Sequence, residues 1–174
     1  HLVCRRADRR RALARWAADL PLHIAATPTQ AMRACAVVLF ATADRDIRSA
    51  AVDWQAGSSD DVHHQIRLHL SGAAAPAVLR LDDHHGPVGS CHPLAAIPDP
   101  LLADVRADAA DGSPLGPPIS VAARRQVASP LRGAFFALAG DPSAVRMGRR
   151  LALALGGDPH IVPAERRAAY HGAA

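Results

Sequence analysis

Residues 36–41 read AVVLFA and are followed directly by Thr42-Ala43-Asp44. A continuously apolar run of this length is typical of a parallel strand that is covered on both faces of its sheet. Asp44 is placed to cap a helix that runs to about Trp54. The stretch therefore predicts a strand, a turn and a helix, which is the repeating unit of an α/β fold.

Short apolar segments alternate with helical patterns on both sides of this unit. The other predicted strands cover residues 2–4, 22–25, 66–70, 87–91, 134–138 and 160–162. The other predicted helices cover residues 7–20, 28 onward, 76–81, 99–110, 142–155 and 163–174. Thr27 and Asp141, each followed by a proline, are predicted to cap two of these helices. The alternation predicts an α/β fold with a mainly parallel sheet and helices on both faces.

Polar or small residues follow four of the predicted strands. They are Arg5-Arg6, Thr42-Ala43-Asp44, Ser71-Gly72 and His92-Pro93. Because ligands of open α/β sheets bind outside the carboxyl ends of the strands, these positions are the candidate binding residues. His92, expected at the end of its strand, is the candidate acid, since histidine exchanges protons near neutral pH.

The composition is that of a globular domain, and the charged residues exclude several chemistries. All 20 basic residues are arginine, and the formal net charge is +4. Without lysine, this chain has no Schiff-base amine, no lysine acid and no phosphate-loop lysine. Aromatic residues make up only 3%, which leaves few platforms for stacking nucleic-acid bases. Nucleic-acid binding is a rival supported by net charge alone, and we predict no nucleic-acid partner.

Cysteine usage and apolar runs predict a cytoplasmic protein. Cys4, Cys35 and Cys91 form no CxxC pair, which favours buried thiols in a reducing compartment. No apolar run approaches the roughly 18 residues of a membrane span, and we expect neither a secretory signal nor a membrane partner. No metal site is predicted, because neighbouring strand residues such as Cys91 and His92 point to opposite faces.

Six segments occur in the order found in one family of NADP-binding proteins. They are residues 36–47 (AVVLFATADRDI), 69–73 (HLSGA), 88–94 (VGSCHPL), 135–142 (FFALAGDP), 155–157 (LGG) and 167–174 (RAAYHGAA). Together they resemble the Rossmann-like family whose second half is the domain of unknown function 2520. That family is related to pyrroline-5-carboxylate reductase and to the F420-dependent NADP reductases.

The resemblance implies a partial Rossmann-like NADP-binding domain over residues 1–163. Residues 101–131, rich in proline and glycine, are expected to be an inserted loop-rich segment. Residues 164–174, with Tyr170 and His171, are expected to begin a C-terminal helical domain that forms a homodimer when complete. The family's first strand and its glycine-rich phosphate loop are expected before Leu2, so the first βα unit is predicted to be missing.

The resemblance also implies roles for the candidate residues. Arg5 and Arg6 are expected to bind the 2′-phosphate of NADP, which an arginine fork contacts through two hydrogen bonds. The other expected cofactor-binding residues are Thr42, Ala43, Asp44 and Gly72. The expected catalytic residues are His92 and Ser71.

The predicted reaction is hydride transfer between NADPH and a small imine or carbonyl substrate. The alternative is a nucleotide-binding sensor or scaffold protein without turnover. Because the pyrophosphate of a dinucleotide rests on the glycine-rich turn, we expect this chain alone to bind NADP weakly or not at all and to be inactive.

Overall fold

The described residues form two sheets, one in each of two units. The computed structural model describes residues 1–56, 64–96, 121–163 and 166. One unit comprises residues 1–32 and 96–130, and the other comprises residues 33–95 and 131–174. Within the described ranges, every helix lacks the length and the apolar composition that crossing a membrane requires.

The first unit contains two short parallel strands at the start of the chain. β1 (Leu2–Val3) pairs with β2 (Ile24–Ala25), and Leu2 stands opposite Ile24. α1 (Ala7–Trp16) connects the two strands. The two strands and the helix are predicted from the sequence, whereas their separation from the larger sheet is not.

The helix that follows β2 begins later than predicted. α2 (Gln30–Arg33) is preceded by Thr29, whose Oγ1 accepts a hydrogen bond from Met32 N at 3.3 Å. Thr29, and not Thr27, therefore supplies the capping oxygen. The prediction of Thr27 as the cap is wrong because the chain continues past Pro28 before the first helical turn closes.

Part of the segment expected to be an inserted loop is helical. Residues 121–128 form α4 (Val121–Ala128), and a 3-10 turn over Ser129–Leu131 follows. The sequence VAARRQVA contains no glycine or proline to interrupt a helix, and the expectation of an inserted loop-rich segment over residues 101–131 stays a prediction. Residues 101–120 lie outside the described part of the chain.

The second unit contains a five-stranded sheet with the order β3-β4-β5-β6-β7. Its strands are β3 (Val37–Phe40), β4 (Ile66–His69), β5 (Val88–Leu94), β6 (Phe135–Gly140) and β7 (Asp158–Ile161). Only the β5–β6 pair is antiparallel within this sheet. The predicted α/β class, with a mainly parallel Rossmann-like sheet, is confirmed.

Helices pack against both faces of this sheet. The helices are α3 (Ile47–Gln55) and α5 (Pro142–Ala154). Gln55 Oε1 of α3 accepts a hydrogen bond from Arg67 Nη1 at 3.0 Å. Gly148 of α5 lies against Cys91 on the opposite face, where an added Cβ would stand 3.5 Å from the Cβ of Cys91. Arg67 stands opposite Val88, so the two side chains share one face of the sheet. Cys91 is three residues after Val88 and therefore points to the other face. The contact of α3 with Arg67 and that of α5 with Cys91 thus lie on different faces.

The face under α5 holds a compact apolar core. Its buried members are Cys91, Phe136, Leu138 and Ala152. A Cβ at Gly148 would lie 3.1 Å from Leu138 Cδ2, so glycine allows α5 to approach the sheet closely. Close packing of this kind fixes the position of β5 and β6 relative to the helix.

The helix cap predicted after β3 is displaced by a short turn. Ala43 occupies the cap of a 3-10 turn over Asp44–Asp46, and Asp46 N donates a hydrogen bond to Ala43 O at 2.8 Å. Asp44 is therefore the first residue of that turn and does not cap α3. The prediction is wrong because an additional tight turn stands between β3 and the helix.

β5 extends further than the sequence predicts. It continues through Leu94, so His92 lies inside the strand and not at its end. The antiparallel pairing with β6 continues as far as Leu94, which stands opposite Phe135, although β4 has already ended at His69. Pro93 is tolerated because β5 has become an edge strand on its β4 side at this point.

Candidate functional site

The carboxyl ends of β3 and β4 meet the middle of β5. Phe40, His69 and Ser90 stand in register across the three strands and are almost completely buried. Leu70 N, immediately after β4, donates a hydrogen bond to Phe40 O at 3.2 Å. This hydrogen bond connects the carboxyl ends of β3 and β4. The neighbouring row of Phe40, His69 and Ser90 side chains is buried and leaves no space for a ligand.

The His92 side chain is hydrogen-bonded to the residue that follows β4. Its Nδ1 lies 2.7 Å from the carbonyl oxygen of Leu70. Because a carbonyl oxygen only accepts hydrogen bonds, Nδ1 carries the hydrogen, and Nε2 is the nitrogen whose lone pair takes up a proton. The side chain is partly exposed. His92 therefore reaches the predicted edge of the sheet with a defined tautomer.

Ser71 supports a turn directly after that carbonyl group. Its Oγ accepts hydrogen bonds from Ala73 N at 3.1 Å and from Ala74 N at 2.9 Å. Ser71 and Gly72 are both buried. Since the hydroxyl oxygen accepts two backbone hydrogen bonds, Ser71 stabilises the turn that follows β4. The catalytic role of Ser71 stays a prediction.

The three residues expected to contact the cofactor after β3 are open to solvent. Thr42, Ala43 and Asp44 are all exposed. They leave the carboxyl end of a strand that neighbours β4, whose own end carries Ser71 and Gly72. Small side chains at this point leave the backbone accessible to a ligand, and the cofactor role of these residues stays a prediction.

Arg5 and Arg6 belong to the first unit, between β1 and α1. Arg6 forms a two-point ion pair with Asp8, in which Nε lies 3.2 Å from Oδ1 and Nη2 lies 2.5 Å from Oδ2. Hydrogen bonding from Arg6 lowers the pKa of Asp8 to about 2, so this carboxylate is ionised near neutral pH. The guanidinium that the sequence assigns to a 2′-phosphate is thus already bound to a carboxylate.

Arg10 fixes the backbone of the same turn. Its Nη1 donates hydrogen bonds to Cys4 O at 2.9 Å and to Arg5 O at 2.5 Å. These two contacts hold the carbonyl groups between β1 and α1 in place. Arg5 and Arg6 therefore extend from a turn of defined conformation.

A buried arginine is the second residue of β4, on the side of the sheet away from the strand's carboxyl end. Arg67 is fully buried, and burial lowers its pKa to about 10, which leaves the guanidinium charged at neutral pH. The sequence reasoning did not single out this residue. The alternation of Ile66, Arg67, Leu68 and His69 resembles a half-exposed strand, but helices cover both faces here.

A second ionisable group at the sheet was also missed. His160 Nε2 lies 2.7 Å from Asp158 Oδ2, and the His160 ring stacks on Phe135 with centroids 4.5 Å apart. The sequence predicted a strand that begins only at His160. The pattern Asp-Pro-His, in which Asp158 and His160 share one face of a strand, is the signal that identifies the pair.

Cys91 is buried as predicted, whereas Cys4 and Cys35 are only partly buried. Cys4, Cys35 and Cys91 are free thiols, and burial raises the pKa of Cys91 to about 11. Among the residues that the structure describes, no three His, Cys, Asp or Glu side chains come together as a metal site. Tyr170 and His171 fall outside the described residues, as does most of residues 164–174.

Comparison with known proteins supports the fold. The chain matches no family model and no curated protein. It is similar to the crystal structure of protein TM1727 from Thermotoga maritima, with a TM-score of 0.60 and 20% sequence identity. The match covers 99% of this chain and 52% of TM1727, so the chain spans about half the length of that protein. At this identity the similarity shows the fold alone.

Proposed function

We propose that this protein is an NADP-binding oxidoreductase of the Rossmann-like family that its motifs resemble. The proposed reaction is hydride transfer between NADPH and a small imine or carbonyl compound. The observation that carries the proposal is the hydrogen bond from His92 Nδ1 to Leu70 O, at the carboxyl edge of a mainly parallel sheet. Ligands of folds of this type bind at that edge.

The proposed chemistry assigns His92 the role of proton donor. Bound NADPH supplies the hydride that adds to the carbonyl or imine carbon of the substrate. In carbonyl reduction, protonated Nε2 of His92 transfers its proton to the substrate oxygen, and in the reverse direction the same nitrogen takes the proton back. The hydrogen bond to Leu70 keeps the imidazole in one orientation through both steps.

The residues at the strand ends fit a nucleotide in part. Thr42, Ala43 and Asp44 are exposed and leave their backbone open, which suits a ribose and nicotinamide. Ser71 holds the turn that follows the neighbouring strand, β4. These features support the cofactor assignment.

The 2′-phosphate assignment requires a change of partner at Arg6. In the ion pair, the Arg6 and Asp8 side chains are 63% and 32% exposed, so solvent screening makes the pair weak. A phosphate carries more negative charge than one carboxylate and offers three oxygens to an arginine fork. We therefore expect NADP to displace Asp8 from Arg6.

The proposed compartment is the cytoplasm. All three cysteines are free thiols, although Cys4 and Cys35 are only partly buried. Free, accessible thiols are typical of proteins that remain in a reducing environment.

The test of the proposed function is a comparison of NADP⁺ with NAD⁺ by NMR. Increasing concentrations of each nucleotide are added to the ¹⁵N-labelled chain, and backbone amide shifts are followed. We expect weak binding, with shifts at Thr42, Gly72 and His92 for both nucleotides, and about tenfold tighter binding of NADP⁺ through Arg5 and Arg6. Equal affinities for the two nucleotides overturn the proposal.

A further inference from the structure

One face of β5 changes from buried to exposed along the strand. Val88 and Ser90 are 2% and 1% exposed, His92 is partly exposed, and Leu94 is 40% exposed. Because alternate residues of a strand share a face, these four side chains stand on one side of the sheet. The second half of this side is therefore accessible to a ligand.

The same face continues across β6 and β7. His92 stands opposite Ala137, which in turn stands opposite His160, and Leu94 stands opposite Phe135. We call this surface the open face, and its members are His92, Leu94, Phe135, Ala137, Asp158 and His160. α5 packs on the other side of these strands, against Phe136 and Leu138.

Two neighbours fix the His160 ring on the open face. Asp158 Oδ2 accepts a hydrogen bond from His160 Nε2 at 2.7 Å, which makes Nδ1 the proton-accepting nitrogen of the neutral ring. Phe135 stacks on the ring with an interplanar angle of 5°. The Asp158 and His160 side chains are 67% and 47% exposed, so a ligand has access to both.

Ala137 stands between the two histidines and is 8% exposed. It is the strand residue between His92 and His160 in the register, and its side chain is a single methyl group. Neighbouring strands lie about 4.8 Å apart, so the two imidazoles rise from backbone positions about 10 Å apart. Because Ala137 is buried, a ligand reaches the outer parts of the two imidazoles and not the strand between them.

The charge of the open face selects the ligand class. Asp158 is the one charged residue in the sequences of β5, β6 and β7, which contain no arginine. Leu94 and Phe135 offer apolar surface beside the two imidazole rings. A carboxylate with such neighbours attracts a cation or an N–H donor on an apolar body and repels an anion.

We propose that the open face binds a small amine or iminium ion with an apolar ring, and that His160 and Asp158 are its specificity-determining contacts. This inference rests on the proposed function. Of the two substrate classes proposed there, it favours imines over carbonyl compounds. Hydride from NADPH forms a C–H bond with the iminium carbon, and the electron pair of the C=N π bond becomes the lone pair of the amine nitrogen. NADPH is oxidised, the iminium is reduced, and no further proton is required.

The test measures ligand binding in the absence of any nucleotide. The ¹⁵N-labelled 174-residue chain is titrated at pH 7 with benzylamine (a cation), benzyl alcohol (neutral) and benzoate (an anion). We expect shifts at Leu94, Ala137 and His160, with benzylamine binding about fivefold more tightly than benzoate, as one partly screened charge contact allows.

Two variants distinguish the effect of the Asp158 charge from the effect of the protein's net charge. Asp158→Asn is expected to weaken benzylamine binding about fivefold and to abolish the preference over benzoate. Asp83→Asn removes one charge from an exposed position in the loop before β5 and is expected to change neither affinity. Both variants change exposed side chains, so their amide spectra are expected to remain those of the folded protein.

Three outcomes overturn this inference: benzoate binding as tightly as benzylamine, shifts confined to other residues, or an unchanged preference in Asp158→Asn. None of them bears on nucleotide binding, because no nucleotide is present. If instead the amine binds as expected but NADP⁺ and NAD⁺ bind equally, the proposed function fails and the open face remains an amine site.

Discussion

The Nδ1 atom of His92 lies 2.7 Å from the carbonyl oxygen of Leu70, and this contact joins β5 to the end of β4. Because the carbonyl accepts, the neutral ring is expected in the Nδ1–H tautomer. The ¹⁵N shifts of the His92 imidazole at pH 8 measure this directly, since protonated and unprotonated ring nitrogens differ widely. Observation of the Nε2–H tautomer would contradict the assignment of Nε2 as the proton-exchanging nitrogen.

Two substitutions of His92 separate its structural contact from its chemistry. In His92→Asn, the side-chain amide occupies the place of Nδ1–H and retains a donor for Leu70 O, so the free energy of unfolding is expected to fall by less than about 1 kcal/mol. His92→Ala removes the donor and is expected to cost about 1–2 kcal/mol more. Urea unfolding of both variants gives the comparison, and equal stabilities would argue against the contact.

Removal of Asp8 is expected to strengthen binding of a 2′-phosphate. In Asp8→Asn, Arg6 loses its carboxylate partner, so we expect two- to fivefold tighter binding of adenosine 2′,5′-bisphosphate, in the range of about one weak surface ion pair. Asp83→Asn is the control for the change in net charge. An equal gain in both variants would assign the effect to overall charge and not to Arg6.

Acidification is not expected to produce the same gain. Arg6 lowers the pKa of Asp8 to about 2, so the contribution of the ion pair is present above the ordinary value of 3.8 and is lost only as the pH falls through about 2. In a titration from pH 7 to pH 5, the ratio of the affinities of wild type and Asp8→Asn is therefore expected to remain constant. A ratio that approaches one by pH 5 contradicts this assignment.

The buried Cys91 thiol is expected to make the fold sensitive to alkaline pH. Burial raises its pKa from 9.0 to about 11, so the unfolded chain loses this proton first. The stabilising contribution is complete below pH 9 and is lost between pH 9 and 11, at up to about 1.4 kcal/mol for each pH unit. Urea unfolding is expected to show this slope in wild type and a shallower slope in Cys91→Ala; parallel slopes would refute it.

Gly140 is expected to be irreplaceable at the end of β6. Its φ is +121°, and an added Cβ would collide with Val88 O on the neighbouring strand. Gly140→Ala is therefore expected to destabilise the protein by about 3 kcal/mol or more. Gly133 has a φ of +70° and nothing within 4 Å of an added Cβ, so Gly133→Ala is expected to cost only about 1 kcal/mol. Thermal unfolding compares the two, and similar costs would contradict the predicted collision.

Local sequence patterns predicted the strands and helices that depend on interactions between residues close in sequence. The continuous apolar run before Thr42 gave β3, and Asp141-Pro142 with Gly156 gave the two ends of α5. The Asp141 side chain is nevertheless used elsewhere: its Oδ2 accepts hydrogen bonds from Arg80 Nη2 and Val88 N. A cap position is readable from sequence, whereas the partner of a capping side chain depends on the tertiary fold.

Features that depend on strand neighbours were not predictable. The antiparallel direction of β6 and the extension of β5 through Pro93 follow from pairing between distant segments. The burial of Arg67 follows from helices on both faces, which alternation in one strand does not reveal. The Asp158–His160 pair was missed because aspartate and proline are uncommon in strands and are tolerated here on an edge strand.

The most direct test of the central claim is the position of a bound nicotinamide relative to His92. Intermolecular NOEs are measured between the nicotinamide protons of NADP⁺ and the side-chain protons of the ¹³C-labelled chain. We predict NOEs to the His92 imidazole, with adenosine 2′-monophosphate, which lacks the nicotinamide, as the control ligand. NADP⁺ that binds without any nicotinamide NOE to His92 would contradict the assignment of this histidine to the hydride-transfer site.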